Sequence, residues 1–391
     1  MASPREFSPL FWSLIVATFL GFLGIGTVLP QIGPHVRYDL GGSDQTVGFV
    51  IGIFSFVALG SRFFSGPLAD NRGRKIAFLT GLASCGLAGG AYMLPLGIPG
   101  AYLGRTLQGF GEACLYTGAA AWAVELGGVE RSGQALGYVS TGIWGGISAG
   151  PMVGHWLGTF QRAALMQLVT AILAFIVLSR IPETYTPHPH PKDRDWFPLS
   201  LITPGIAIGF VNVHYPVVTG FLILHLARHG DAGKAAFSAY AGLILVSRFF
   251  LGGLPDRIHP RITYLGGITL MTAGLLIIAS GPSPVVAVLG AALLGFGFSF
   301  PWSSVASKVL KQTAAQEHGT AVGVLSAFYD LFVGMSSFAA GAVATRFGYA
   351  AAFYMAAASL VLAGIVGFVF FRPAPEISTV TPDEYVEALE P

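Results

Sequence analysis

Apolar runs of about twenty residues recur twelve times along this chain, near 10–30, 46–66, 76–96, 99–125, 132–157, 163–181, 199–225, 234–251, 262–281, 284–310, 319–345 and 350–371. A helix of that length crosses the roughly 30 Å hydrocarbon core of a bilayer. Lipid offers no partner to a backbone N–H or C=O, so runs of this kind span as helices. The charge content agrees: only 10% of residues are charged and 53% are hydrophobic, against about 25% charged in a soluble domain. The expected fold class is an all-α membrane protein with twelve transmembrane helices. The first run starts near Leu10 after a single Arg5 and outlasts a signal-peptide core, so it reads as a retained helix. Cys85 and Cys114 both lie in apolar stretches and read as packing residues.

The formal net charge of +2 gives no general attraction to nucleic acid. The distribution of the charges says more. With the N-terminus in the cytoplasm, thirteen of the 21 Lys and Arg residues fall in inner loops and five in outer loops, while Arg62, Arg105 and Arg248 lie within helices. The positive-inside rule then puts both termini in the cytoplasm. The same side receives the polar segment 182–198, read as a linker between a bundle over 1–181 and another over 199–371. The acidic tail 372–391 has almost no apolar face and is expected to be disordered. Arg outnumbers Lys, and the chain is rich in Gly, Ala and Pro, which fits a GC-rich prokaryotic genome and hence the cytoplasmic (inner) membrane.

The chain also repeats itself. Residues 61–70, SRFFSGPLAD, match 247–256, SRFFLGGLPD, at seven of ten positions with a shift of 186. The same ungapped shift aligns Gly109-Phe110-Gly111 with Gly295-Phe296-Gly297, Pro30 with Pro216, and Gly137 with Gly323. One offset over so many helices implies two six-helix halves of like topology, related by an axis along the membrane normal, with a substrate site between them near mid-depth.

Three stretches carry a resemblance. Gly66-Pro67-Leu68-Ala69-Asp70-Asn71-Arg72-Gly73-Arg74-Lys75 follows the pattern G-x-L-a-D-r-x-G-r-[KR]. Arg105-x-x-Gln108-Gly109-x-Gly111 follows R-x-x-q-G-x-g, and Gly146-x-x-x-Gly150-Pro151-x-x-Gly154 follows G-x-x-x-G-P-x-x-G-G, with His155 at the last position. On these motifs the chain resembles the major facilitator superfamily up to about Arg372. The resemblance implies two pseudo-symmetric six-helix halves and transport by alternating access, and no dimerisation segment in the sequence argues against a functional monomer in the bilayer. The resemblance further implies an inner-gate latch at Gly66, Asp70, Arg72, Gly73, Arg74 and Lys75, with a weaker repeat copy at Asp256 and Arg257. The helix-5 motif at Gly146, Gly150, Pro151 and Gly154 is associated in the family with proton-coupled exporters.

Ionisable residues inside a membrane helix are functional candidates by default. Glu112 and Asp330 lie near the middle of their helices and are expected to carry protons. Arg105, Gln108 and Glu112 are spaced i, i+3 and i+7 on one face, with Arg105 expected to pair with one of the two carboxylates or to hold an anionic group. Trp144, Asn212, His214, Tyr215 and Tyr329 complete the expected cavity wall. Arg62 and Arg248 read as cations that snorkel to the inner surface. The segment Gly146-Ile147-Ser148-Ala149-Gly150 matches a hydrolase nucleophile pattern but lies in a helix without triad partners. No H-E-x-x-H or phosphate-cradling Lys motif is present either, so neither an enzyme, a metal site nor a nucleotide-driven pump is expected. The reading is a secondary transporter with no cofactor, powered by the proton gradient. It exports a small amphipathic molecule by antiport; the same fold serves importers of sugars, organic acids or other metabolites, and a membrane sensor or scaffold without flux is the remaining alternative, against which the buried carboxylates argue. If the topology is right, a phosphatase fused within 182–198 stays inactive while a fluorescent protein fused after 372 lights up; the opposite pattern reverses the orientation.

Overall fold

A computed structural model of the protein describes residues 7–128, 131–179, 198–251, 254–281, 283–313 and 318–372. The expected linker up to residue 197, the tail from 373 and the side chain of Asp256 lie outside the described residues. No strand occurs among the described residues. The α-helices are α1 (Pro9–Pro34), α2 (Asp44–Arg72), α3 (Arg74–Met93), α4 (Ile98–Gly127), α5 (Ser132–Leu157), α6 (Phe160–Ser179), α7 (Ile202–Asn212) and α8 (His214–His225). They continue with α9 (Ala232–Leu251), the short α10 (Leu254–Arg257), α11 (Pro260–Ala279), α12 (Pro284–Gln312), α13 (His318–Phe347) and α14 (Tyr349–Phe370). Ten spans, with α7 and α8 counted as one, are long and apolar enough to cross a membrane. With α4 and α5, which are rich in Gly and in the case of α4 carry Arg105, Gln108 and Glu112, the spanning elements number twelve.

Local chemistry sets the ends. Ser8 caps α1 by accepting the Phe11 N–H at 3.3 Å, with Pro9 in the first turn, and Ser43 caps α2 by accepting the Thr46 N–H at 3.1 Å. Gly73 alone separates α2 from α3, at φ +109°, a conformation that suits glycine. The expected motif loop is thus mostly helix: Gly66, Asp70 and Arg72 belong to α2, and Arg74 and Lys75 open α3. The third helix stops at Met93, not 96, because Leu94 precedes Pro95 and is extended. The seventh span is broken at Val213 because Pro216 lacks an N–H and crowds the carbonyl of Asn212, four residues back.

The motif glycines of α5 pack against α1. A Cβ on Gly150 would lie 2.5 Å from the Cα of Gly26, and one on Gly146 2.5 Å from the Phe19 carbonyl. A Cβ on Gly154 would overlap the Thr27 carbonyl, and that glycine's own carbonyl accepts a 2.6 Å bond from Gln31 Nε2. Pro151 sits inside the same helix. Small residues permit this backbone approach in lipid.

Two contacts cross from α1–α6 to the later helices in repeat-related fashion, α2 with α13 and α9 with α5. At the end of the bundle where α1 finishes and α2 begins, the crossing is tight. A Cβ on Gly33 would overlap the Gly220 carbonyl, and one on Gly48 the Ser337 carbonyl. Tyr349 donates to Asp44 at 2.8 Å, Asp44 pairs with Arg37 at 3.2 Å, and His155 bonds Ser238 at 3.0 Å. The opposite end, where α2 turns into α3, is looser: Gly66, Gly137 and Gly323 have no neighbouring atom within 4 Å of a would-be Cβ. Gly150→Leu is therefore expected to lower stability by about 3 kcal/mol or more by prying α1 from α5, while Gly137→Leu costs nothing. Thermal unfolding followed by size-exclusion retention in detergent distinguishes the two.

Candidate functional site

A cavity of about 80 Å³ lies between α1, α2, α4 and α5 on one side and α8, α12 and α13 on the other. Its wall combines the rings of Phe54, Tyr116, Trp144, Tyr215, Trp302 and Tyr329 with Arg62, Arg105, Glu112 and Asp330. Ser140 and Trp144 of α5 share a face with Gly137, and Ser326 and Asp330 of α13 share a face with Gly323. Those glycines meet open space one turn nearer the α2–α3 end. The cavity consequently opens toward that end and is closed at the other.

Asp330 is 3% exposed and accepts two bonds from Arg62, at 2.8 Å from Nε and 2.7 Å from Nη2. Arg62 therefore does not snorkel to the surface; it turns inward because a buried carboxylate on the facing helix answers its charge. Its Cζ also lies 5.3 Å from the centre of the Tyr116 ring. This ion pair links α2 to α13, 268 positions apart in the chain.

Arg105 differs from the expected pairing. It donates to Gln108 Oε1 at 2.5 Å and to the Val50 and Ile51 carbonyls at 3.3 and 3.2 Å, with Cζ 4.2 Å from the Phe54 ring centre. Seven residues of helix rise about 10.5 Å, so Arg105 and Glu112, although on one face, are too far apart along α4 to meet. Gln108 lies behind the wall, accepting from Tyr92 at 3.1 Å and donating to Gln167 at 3.0 Å. Glu112 faces the cavity, and its buried Oε2 has no hydrogen-bond partner.

Trp144, Tyr215 and Tyr329 line the cavity as expected from their depth. Asn212 and His214 do not. Asn212 bonds back to the Ile208 carbonyl at 2.7 Å, and His214 is held by the Val211 carbonyl at 2.7 Å and the Tyr240 hydroxyl at 3.1 Å. Of the expected gate residues, Arg74 pairs with Glu125 at 2.5 Å and Lys75 bonds the Ser179 carbonyl at 2.9 Å, tying α3 to α4 and α6. Asp70 and Arg72 close the last turn of α2, and Arg257 is exposed at the end of α10.

Arg62 and Arg248 are the residues that the hydropathy reading undervalued. They occupy equivalent positions in the two SRFF copies, and a cation kept in both copies of an apolar helix was the available signal. Arg248 lies 4.1 Å from the centre of the Trp144 ring. Trp144 is the repeat partner of Asp330, so the two inter-helix contacts are the same contact made twice, once as an ion pair and once as a cation–π stack. Arg62→Gln, by stranding Asp330, is expected to cost roughly 3 kcal/mol. The double variant Arg62→Gln/Asp330→Asn should recover most of that loss, as read by thermal unfolding in detergent.

Comparison with known proteins agrees with this geometry. The sequence profile of the Major Facilitator Superfamily matches residues 14–230 and 205–388. The chain is 29% identical over 383 residues to an uncharacterised MFS-type transporter of Salmonella typhimurium, covering 91% of this chain and 95% of that protein. It is 26% identical over 379 residues to one of Burkholderia mallei, covering 94% and 93%. Among solved structures, the D-xylose-proton symporter superposes with a TM-score of 0.77 at 14% identity, covering 92% of this chain and 97% of that one. The human organic anion transporter MFSD10 (TETRAN) superposes with a TM-score of 0.67 at 16% identity, covering 92% and 100%. A profile that spans nearly the whole chain, on twelve spanning helices around a central cavity, makes this chain a multi-pass membrane protein of the major facilitator superfamily.

Proposed function

We infer that the protein is a secondary active transporter that works by alternating access and exchanges protons for a small amphipathic organic molecule, which it exports. The observation that carries this reading is the Arg62–Asp330 ion pair, which faces the cavity and bridges α2 and α13. A proton on Asp330 cancels the charge that holds Arg62. The guanidinium is then free to turn to Glu112 on α4, within the same set of helices as α2, and the electrostatic tie between α2 and α13 is lost. Loading and unloading of one carboxylate thus changes how firmly the two sides of the cavity are joined. That is the physical requirement for coupling a proton to a rocking motion.

Orientation supports export. With the positive-inside rule, the open end faces the cytoplasm and both termini lie there, so the cavity is poised to load from inside. The two bundles that rock are 1–181 and 199–371, joined by the 182–198 linker, within a monomer in the cytoplasmic membrane. The Asp70 cluster at the α2–α3 turn serves as the inner latch, and the proton gradient is the energy source with no cofactor. The helix-5 motif supports export. A proton-coupled importer of a sugar or organic acid is the second reading, favoured by the structural likeness to the D-xylose-proton symporter. The wall, in which rings and aliphatic side chains together outnumber the other polar and charged ones, supports an amphipathic cargo over a sugar, which needs many hydrogen-bond partners.

The test is extrusion of two fluorescent xanthenes, cationic rhodamine 6G and anionic fluorescein, from loaded cells, with and without a proton uncoupler. Uncoupler-sensitive extrusion of either dye, reduced at least tenfold by Asp330→Asn, is the expected outcome. Extrusion that persists in Asp330→Asn removes Asp330 from coupling, and gradient-driven accumulation of a dye instead of its extrusion reverses the direction.

A further inference from the structure

We propose that the transported molecule is an organic anion with an aromatic body, and that Arg248 receives its carboxylate. This rests on the cavity being the transport site, as inferred above. Among the described residues, the middle of the bundle holds three guanidiniums, Arg62, Arg105 and Arg248, against two carboxylates, Glu112 and Asp330. Arg62 and Asp330 answer each other, and Arg105 donates to Gln108 and to two carbonyls. Arg248 is different. Its Nε and Nη2 are buried and have no hydrogen-bond partner.

A guanidinium has five donors and no means of discharging by losing a proton. Leaving three of those donors, on Nε and Nη2, bare in an apolar interior is costly, and such groups in membrane helices mark ligand sites. Among the described residues no carboxylate forms an ion pair with Arg248. Its only described contacts with other groups are the faces of Trp144, at 4.1 Å, and Phe298, at 5.7 Å. Trp144 and Tyr329 also line the cavity, so the cation is one aromatic layer from its interior. Rings satisfy a guanidinium through its face and leave the N–H edge free, and that edge is the one that binds a carboxylate with two parallel bonds. The repeat gives the same answer. In the equivalent position of the other half, Arg62 holds a carboxylate supplied by Asp330; at Arg248 the chain supplies Trp144 instead, and the carboxylate is left for the cargo to bring. The surrounding rings suit a planar aromatic body.

The experiment measures equilibrium binding of fluorescein and rhodamine 6G, xanthenes of similar size and opposite charge, to the purified full chain in detergent by fluorescence anisotropy. Saturable binding of fluorescein in preference to rhodamine 6G is expected, weakened at least tenfold by Arg248→Gln and partly retained by Arg248→Lys. Because the unpartnered cation is a burden on the empty protein, Arg248→Gln should melt no lower than the native chain. Preference for rhodamine 6G, absence of fluorescein binding, unchanged fluorescein binding in Arg248→Gln, or a lowered melting temperature in that variant each overturns the proposal. No gradient is present in this assay. A protein that binds fluorescein through Arg248 but fails to extrude it refutes proton-driven export and leaves the anion site standing.

Discussion

A positive charge inside a lipid-embedded bundle has to be answered by something within reach, and the organisation of this protein follows from how its three interior guanidiniums are answered. Arg62 finds a carboxylate on a helix from the other repeat. Arg105 finds neutral oxygens, the side chain of Gln108 on its own helix and carbonyls of α2, and so fastens α4 to α2. Arg248 finds aromatic faces alone. These solutions differ in how easily they are undone. Hydrogen bonds to neutral groups do not titrate, an ion pair can be cancelled by one proton, and a cation–π stack leaves the donor edge available to another acceptor. One helical framework thereby contains a fixed joint, a switchable joint and a vacant donor.

Shape complements this division. At one end of the bundle the contact between repeats is made by backbone against backbone, at Gly33 with Gly220 and at Gly48 with Ser337, supported by the Tyr349–Asp44–Arg37 chain. At the other end, Gly137 and Gly323 look onto empty space. The switchable ion pair lies between the sealed end and the open one. The glycine face of α5 does different work, bringing α1 and α5 into backbone contact.

Much of this was legible in the amino-acid order. Length and apolarity of the runs predict the spans, and Pro95, Pro216 and Gly73 carry the reasons for three places where the helices depart from simple expectation. The constant shift of 186 pairs Arg62 with Arg248 and Trp144 with Asp330 before any coordinate is known. The wall of the cavity was less legible. Tyr215 and Trp144 do line it, but Asn212 and His214, at similar depth, turn into the packing because a helix at mid-membrane has several sides and hydropathy does not say which one is empty. Arg105 and Glu112 share a face yet do not pair, since the rise along the helix separates them.

The sequence by itself determined that this chain spans a membrane twelve times, that it is a duplicated unit, and that charges remain in its interior, because those properties depend on side-chain type and spacing along one dimension. Only the tertiary structure decided which charge meets which partner. The Arg62–Asp330 pair and the Arg248–Trp144 stack join residues 268 and 104 positions apart, and an interaction that decays within a few ångströms depends on how helices are set against one another rather than on how residues follow one another.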